Sequence, residues 1–182
     1  MTETESARVY DLDGTLVRLA VDWQAAERGI REVLLSDGTV TVPEGANAWT
    51  MYDLAAENGH LEAVEARLSA YECEGAAEAV RLPAADDLAA LDVPVGVCSL
   101  NCEAACRIAL SVHDLEEYVD VVVGRDTVAG RKPDAEPLLA AVQGLAARPE
   151  ETLFVGDSKS DEVCAERAGT RFSYVDGGPR EW

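Results

Sequence analysis

The spacing of apolar positions changes character partway along this 182-residue chain. After a short strand around Val9-Tyr10 comes a polar turn, then some sixty residues with little strand character. Trp23, Ala26, Ile30, Val33 and Leu34 recur at helical spacing, as do Leu61, Val64, Leu68 and Tyr71. Gly38 and Gly59 fit the breaks between such helices. Beyond residue 82 the pattern becomes short apolar runs alternating with helical stretches. Val93-Pro94-Val95-Gly96-Val97-Cys98 reads as a buried strand ending at Ser99, and Val121-Val122-Val123 as a second. Thr152–Val155, ending at Gly156-Asp157, is a third, and Arg171–Val175, ahead of the Gly177-Gly178-Pro179 breaker, a fourth. Helices are expected over 102–112, 134–146 and 159–168. Strands that are apolar almost throughout, separated by helices, imply an α/β parallel sheet covered on both faces. The expected division is an α/β domain from 1–17 and 82–182, with 18–81 an all-helical insertion. In such sheets chemistry gathers at the carboxyl ends of the strands.

Composition narrows the picture. The length fits one domain with a small insertion, and 48% apolar residues is normal for a globular chain. A chain this long buries about 70% of its unfolded surface, so neither disulfide nor structural metal is needed for folding. The formal charge is −20. That leaves no basic face for nucleic acid and disfavours an anionic membrane surface. Among 15 basic residues only Lys132 and Lys159 are lysine. Acid spread along the whole chain with scarce lysine is similar to proteins of extreme halophiles, where concentrated salt screens self-repulsion. The opening residues MTETESARVY carry no signal-peptide pattern, and no apolar run approaches the ~20 residues that cross a bilayer. Five cysteines, an odd number without a disulfide-rich pattern, fit a reduced cytoplasmic setting.

The chemistry-bearing segment is Asp11-Leu12-Asp13-Gly14-Thr15-Leu16, directly after the first strand. Carboxylates two apart on extended chain point the same way, and Gly14 permits a sharp turn that offers backbone N–H groups to an anion. One carboxylate can attack while the other handles a proton. A solvated turn or part of a calcium loop is the plainer reading, but Leu16, Val17, Arg18 and Leu19 supply no further oxygen ligands for calcium. Other strand ends add matching groups. Ser99, with Asn101 close behind, can donate to a phosphoryl oxygen. Lys132, in Gly130-Arg131-Lys132-Pro133-Asp134, offers a point charge to an oxyanion. Gly156-Asp157-Ser158-Lys159-Ser160-Asp161 adds two carboxylates suited to a hard divalent cation.

These four segments, in this order and at these strand ends, resemble the four motifs of the haloacid dehalogenase superfamily of phosphohydrolases, over about residues 8–178. The insertion resembles the helical cap of the phosphoglycolate-phosphatase-like branch. The resemblance implies a Rossmann-like core and a Mg²⁺-dependent phosphatase acting on a small phosphate ester, with phosphoglycolate one candidate. It makes Asp11 the nucleophile that becomes an aspartyl-phosphate and Asp13 the general acid and base. Gly14, Ser99, Asn101 and Lys132 would hold the phosphoryl group. Asp11, the backbone carbonyl of Asp13, Asp157 and, directly or through water, Asp161 would hold Mg²⁺. Rival readings are a phosphotransferase resembling β-phosphoglucomutase and a non-catalytic binding module. Asp13 argues against dehalogenation, and a lysine-free 18–81 argues against Schiff-base chemistry there. Val17-Arg18-Leu19 depart from the Asp-Ser often found after the first motif, which leaves the substrate open. The expected assembly is a monomer or homodimer.

Other candidates have plainer explanations. Cys98, Cys102 and Cys106 lack the second pair of a zinc site and read as buried thiols. His60 and His113 sit near helix ends. Trp23, Trp49 and Tyr52 read as core of the insertion, unless one of them faces substrate. No Gly-x-Ser-x-Gly or Walker A spacing occurs.

Overall fold

The computed structural model describes residues 5–36, 38–175 and 178. The first four residues, and Gly177 and Pro179 of the expected C-terminal breaker, lie outside that set. Seven strands are present among the described residues: β1 (Ala7–Tyr10), β2 (Val17–Arg18), β3 (Val80–Arg81), β4 (Val95–Cys98), β5 (Val121–Val123), β6 (Thr152–Gly156) and β7 (Arg171–Tyr174). The helices are α1 (Trp23–Leu35), α2 (Ala48–Asn58), α3 (Leu61–Ala77), α4 (Glu103–Val112), α5 (Glu136–Gly144) and α6 (Lys159–Ala168).

Five strands form one parallel sheet in the order β5-β4-β1-β6-β7. Alternation along β1 explains why both faces are apolar. Ala7 and Val9 pack with Leu138, Ala141 and Val142 of α5 and Cys164, Ala165 and Ala168 of α6. Tyr10 points the other way, with Val95, Val97 and the α4 residues Ala105, Cys106, Ala109 and Leu110. Phe154 of β6 is fully buried, a transfer worth about 1.5–3 kcal/mol. The register sets Tyr10 opposite both Val97 and Val155. Asp11 therefore leaves the sheet centre between the ends of β4 and β6.

The element edges differ from expectation where proline or a loop intervenes. β4 starts at Val95 rather than Val93, because Pro94 has no N–H for the ladder. Its carbonyl still accepts from the Arg8 N–H at 3.0 Å. α5 starts at Glu136, since Lys132–Ala135 is loop. α6 spans the expected 159–168, held by a capping box between Ser158 and Asp161.

The region after β1 holds α1, α2 and α3 around their own core of Ala26, Ile30, Leu34, Met51, Ala55, Val64 and Leu68. Asp22 and Asn47 cap α1 and α2 through the N–H groups of Ala25 and Thr50, and Gly59 ends α2 with φ 78°. The expectation of an all-helical 18–81 needs correcting at its ends. Arg18 pairs with Val80 and Val17 with Arg81 in an antiparallel ribbon where the chain leaves and re-enters. Two-residue strands are too short to leave a period in the sequence.

Candidate active site

Asp11, 5% exposed, sits at the carboxyl end of the central strand with its N–H donating to the Val155 carbonyl at 2.8 Å. One carboxylate oxygen accepts from Lys132 Nζ at 2.6 Å and the other from the Thr15 hydroxyl at 3.3 Å. Lys132 Nζ also donates to Asp161 Oδ1 at 2.6 Å and to the Cys98 carbonyl at 3.2 Å. The three N–H groups of its ammonium thus have three acceptors. Burial pushes the Asp11 carboxyl up, while Lys132 pulls it down and Asp161 adds to the rise. Burial alone would lower Lys132, yet Asp11 and Asp161 hold it well above its ordinary value. At these distances the cluster is an ion pair around a committed ammonium.

Asp161 is placed by two local devices. Its second carboxylate oxygen accepts from the Ser158 N–H and hydroxyl at 3.0 and 2.6 Å. Gly156 gives it room, since a Cβ there would lie 2.6 Å from Asp161 Cβ. Both Asp161 oxygens are therefore engaged, one in the helix cap and one on Lys132. Asp11, Asp157 and Asp161 nonetheless each bring a carboxylate oxygen within 4.8 Å of the others, all three buried. Three converging hard oxygen donors fit Mg²⁺ or a similar divalent cation, and the triad could bind one.

Asp13 is bent away from that cluster. Its Oδ1 accepts from the Leu19 N–H at 2.9 Å, so its carboxylate is aimed at the ribbon side of the turn. Burial raises its pKa, opposed by the Leu19 hydrogen bond and the Arg18 charge. A carboxyl biased towards its protonated form is suited to proton donation. Gly14 turns as expected, at φ 88°, but its N–H donates to the Val17 carbonyl at 2.7 Å. The Gly14 N–H is thus taken up within the turn, so any anion there would meet other N–H groups.

A cavity of about 720 Å³ opens above these groups. Of the expected site residues, Asp11, Asp13, Asn101, Lys132 and Asp157 line it. Ser99 and Asp161 do not reach its wall; the Ser99 hydroxyl donates to Asn101 Oδ1 at 3.2 Å. The helical region contributes Trp23, Glu27, Asn47, Ala48 and Trp49 to the opposite side. This corrects the reading of the tryptophans as core. Helical spacing identifies a face, but Trp23 opens α1 at the cleft and remains 38% exposed.

One constellation escaped the sequence reading. Arg125, just past β5, is 4% exposed and inserts between the helical region and the sheet. It binds Glu72 through both guanidinium NH groups at 2.5 and 3.0 Å, and Glu65 through its Nε and one NH group at 3.0 and 2.5 Å. It also donates to the Leu100 carbonyl at 2.8 Å. Glu72, fully buried on α3, accepts the Cys102 N–H at 3.0 Å in turn. The Trp49–Tyr52 pair lies against both Arg125 and Arg131, with guanidinium carbons 5.2–5.9 Å from the ring centres. Two acids seven residues apart among the apolar positions of α3 were the available signal. The remaining candidates are structural. Burial holds Cys98, Cys102, Cys106 and Cys164 above the ordinary thiol range, so they are poor nucleophiles. His113 ends α4, with Nε2 2.9 Å from the Ala79 carbonyl, and His60 precedes α3.

The profile of the haloacid dehalogenase-like hydrolase family matches residues 53–175. A phosphoglycolate phosphatase of Cereibacter sphaeroides is 35% identical, covering 94% of this chain and 85% of that protein. A crystal structure from Lactobacillus plantarum, at 24% identity, has the same fold with a TM-score of 0.69, covering 94% of this chain and 86% of that one. A HAD-superfamily hydrolase of Geobacter sulfurreducens, 27% identical, aligns with a TM-score of 0.61 over 92% of this chain and 87% of its own. With the Asp11-Leu12-Asp13-Gly14 segment at the centre of the sheet, the chain belongs to the haloacid dehalogenase-like hydrolases, on their phosphatase side.

Proposed function

We propose that the protein hydrolyses a small phosphorylated metabolite, with phosphoglycolate the leading candidate, through a phosphorylated Asp11 and with Mg²⁺. The observation that carries this reading is the arrangement at the cavity floor. Asp11 and Lys132 are locked together at 2.6 Å, while Asp13 is held apart by Leu19 at the wall. The ester phosphate enters against Lys132 and Asn101. An Asp11 oxygen attacks phosphorus, forming the acyl-phosphate bond as the ester P–O bond breaks. The leaving oxygen takes the Asp13 proton. Asp13 then removes a proton from water, whose oxygen attacks the same phosphorus, releasing phosphate and restoring Asp11. Ser99 acts by fixing Asn101, and Asp161 by fixing Lys132.

Asp11, Asp157 and the Asp13 backbone carbonyl would hold Mg²⁺, with Asp161 beside them. The ion would offset the repulsion between the incoming phosphate and the carboxylates. Residues 18–81 act as a cap domain over the 1–17 and 82–182 core, a division supported by their separate apolar core. The 35%-identical relative is named a phosphoglycolate phosphatase, which supports the substrate reading. The test is turnover of phosphoglycolate with Mg²⁺ by wild type and Asp11→Asn. The variant should be inactive, and about a tenth or more of wild-type kcat surviving would overturn the covalent assignment.

A further inference from the structure

Among the residues lining the cavity only two are cations, Lys132 and Arg18. Lys132 is committed to Asp11, Asp161 and the Cys98 carbonyl. Arg18 is exposed at the cavity wall and takes part in no ion pair or side-chain hydrogen bond among the described residues. In the ribbon, Val17 supplies the buried side chain, and Arg18 contributes only its backbone to the pairing with Val80. A guanidinium with no ion pair among the described residues, at a cavity wall in a chain of net charge −20, is available to a ligand.

Its position says which part of a ligand. Arg18 is next in sequence to Leu19, whose N–H fixes the Asp13 carboxylate, and its charge acts on Asp13 more strongly than that of Lys132 does. Asp13 is the group that meets the leaving oxygen, so whatever that oxygen carries lies beside Arg18. The other walls there are Trp23, Glu27, Asn47 and Trp49. Glu27 would repel an anion, but one of its oxygens accepts the Ala48 N–H at 3.3 Å and is held on α1. We propose that Arg18 is a specificity-determining residue, binding a second anionic group, such as a carboxylate, on the leaving alcohol of the ester. This rests on the phosphatase reading and deepens it: the substrates are phosphomonoesters with a second negative charge a few bonds from phosphorus.

Two esters of matched size separate the possibilities, phosphoglycolate and 2-hydroxyethyl phosphate, which has an alcohol in place of the carboxylate. Wild type should favour phosphoglycolate through KM. Arg18→Gln should raise that KM by about tenfold or more, the usual scale of a lost charged hydrogen bond, with kcat nearly kept. KM for 2-hydroxyethyl phosphate should hardly move, and Arg18→Lys should restore part of the preference. Calorimetric binding of both esters to Asp11→Asn, with and without Arg18→Gln, repeats the comparison without turnover. Equal losses for both esters, or no loss for either, overturn the role of Arg18. Preserved discrimination in binding without wild-type turnover would keep Arg18 and sink the phosphatase reading instead.

Discussion

Arg125→Met is the most informative test of how the helical region is held to the sheet. The guanidinium is 1% exposed and the Glu72 carboxylate fully buried, so removing Arg125 strands a charge with the Cys102 N–H as its remaining partner. An uncompensated buried member of an ion pair costs about 3–5 kcal/mol. Glu65 adds little, because its side chain is 21% exposed and rehydrates. For a protein stable by ~5–15 kcal/mol the loss is large, and should shift the urea midpoint by about 2 M at unchanged slope. The assay is urea unfolding followed by tryptophan fluorescence and circular dichroism. Glu72→Gln in the Arg125→Met background removes the stranded charge yet leaves an oxygen for Cys102, and should recover about 2 kcal/mol or more. The pH dependence has a definite sign. Burial raises the Glu65 pKa, but its Arg125 hydrogen bonds prevail and hold it below the ordinary carboxylate value. That stabilisation is full above the unfolded pKa and fades as pH falls through the folded one. The small part of the gap between wild type and Arg125→Met that Glu65 contributes should therefore be full near neutrality and fade below about pH 4. A variant within about 1 kcal/mol of wild type at pH 7 would refute the reasoning.

Three other outcomes follow from the same geometry. Gly156→Ala drives a Cβ to 2.6 Å from that of Asp161, neither atom free to swing aside; it should cost about 1–3 kcal/mol in thermal unfolding and lower kcat by displacing the Lys132 partner. Chelation by EDTA should stop turnover, and added Mg²⁺ should restore it and raise the Tm of wild type but not of Asp157→Asn; equal Tm gains would remove Asp157 from the ligand set. With a charge of −20, thermal stability should climb between about 0.05 and 1 M KCl as repulsion is screened, and a flat curve would show the acids to be already balanced by local pairing.

Much of the candidate site was legible because its residues follow strand ends, and strand ends show in the sequence. Asp11 follows Ala7–Tyr10, Ser99 follows Val95–Cys98, and Asp157 follows Thr152–Gly156. Each apolar run stops where the sheet stops, so order and polarity alone brought these residues to one edge. Lys132 was legible for another reason: in a chain with two lysines, one that follows a strand in the Gly130-Arg131-Lys132-Pro133 segment is conspicuous.

What the chain alone determined is thus the α/β class, the helical region after the first strand, and which acids and lysine are candidates for chemistry. These depend on local period and on residue type, both written along one dimension. Only tertiary structure decided how those groups are employed. Gly14 spends its N–H on Val17, Ser99 turns to Asn101, Asp161 serves Lys132 and its own helix cap, and Trp23 faces the cleft. The Arg125 clamp joins residues 53 and 60 positions apart, and Arg18 comes to the cavity wall. Hydrogen bonds and ion pairs are satisfied in space among competing acceptors, and no pattern of neighbours in sequence reports which acceptor wins.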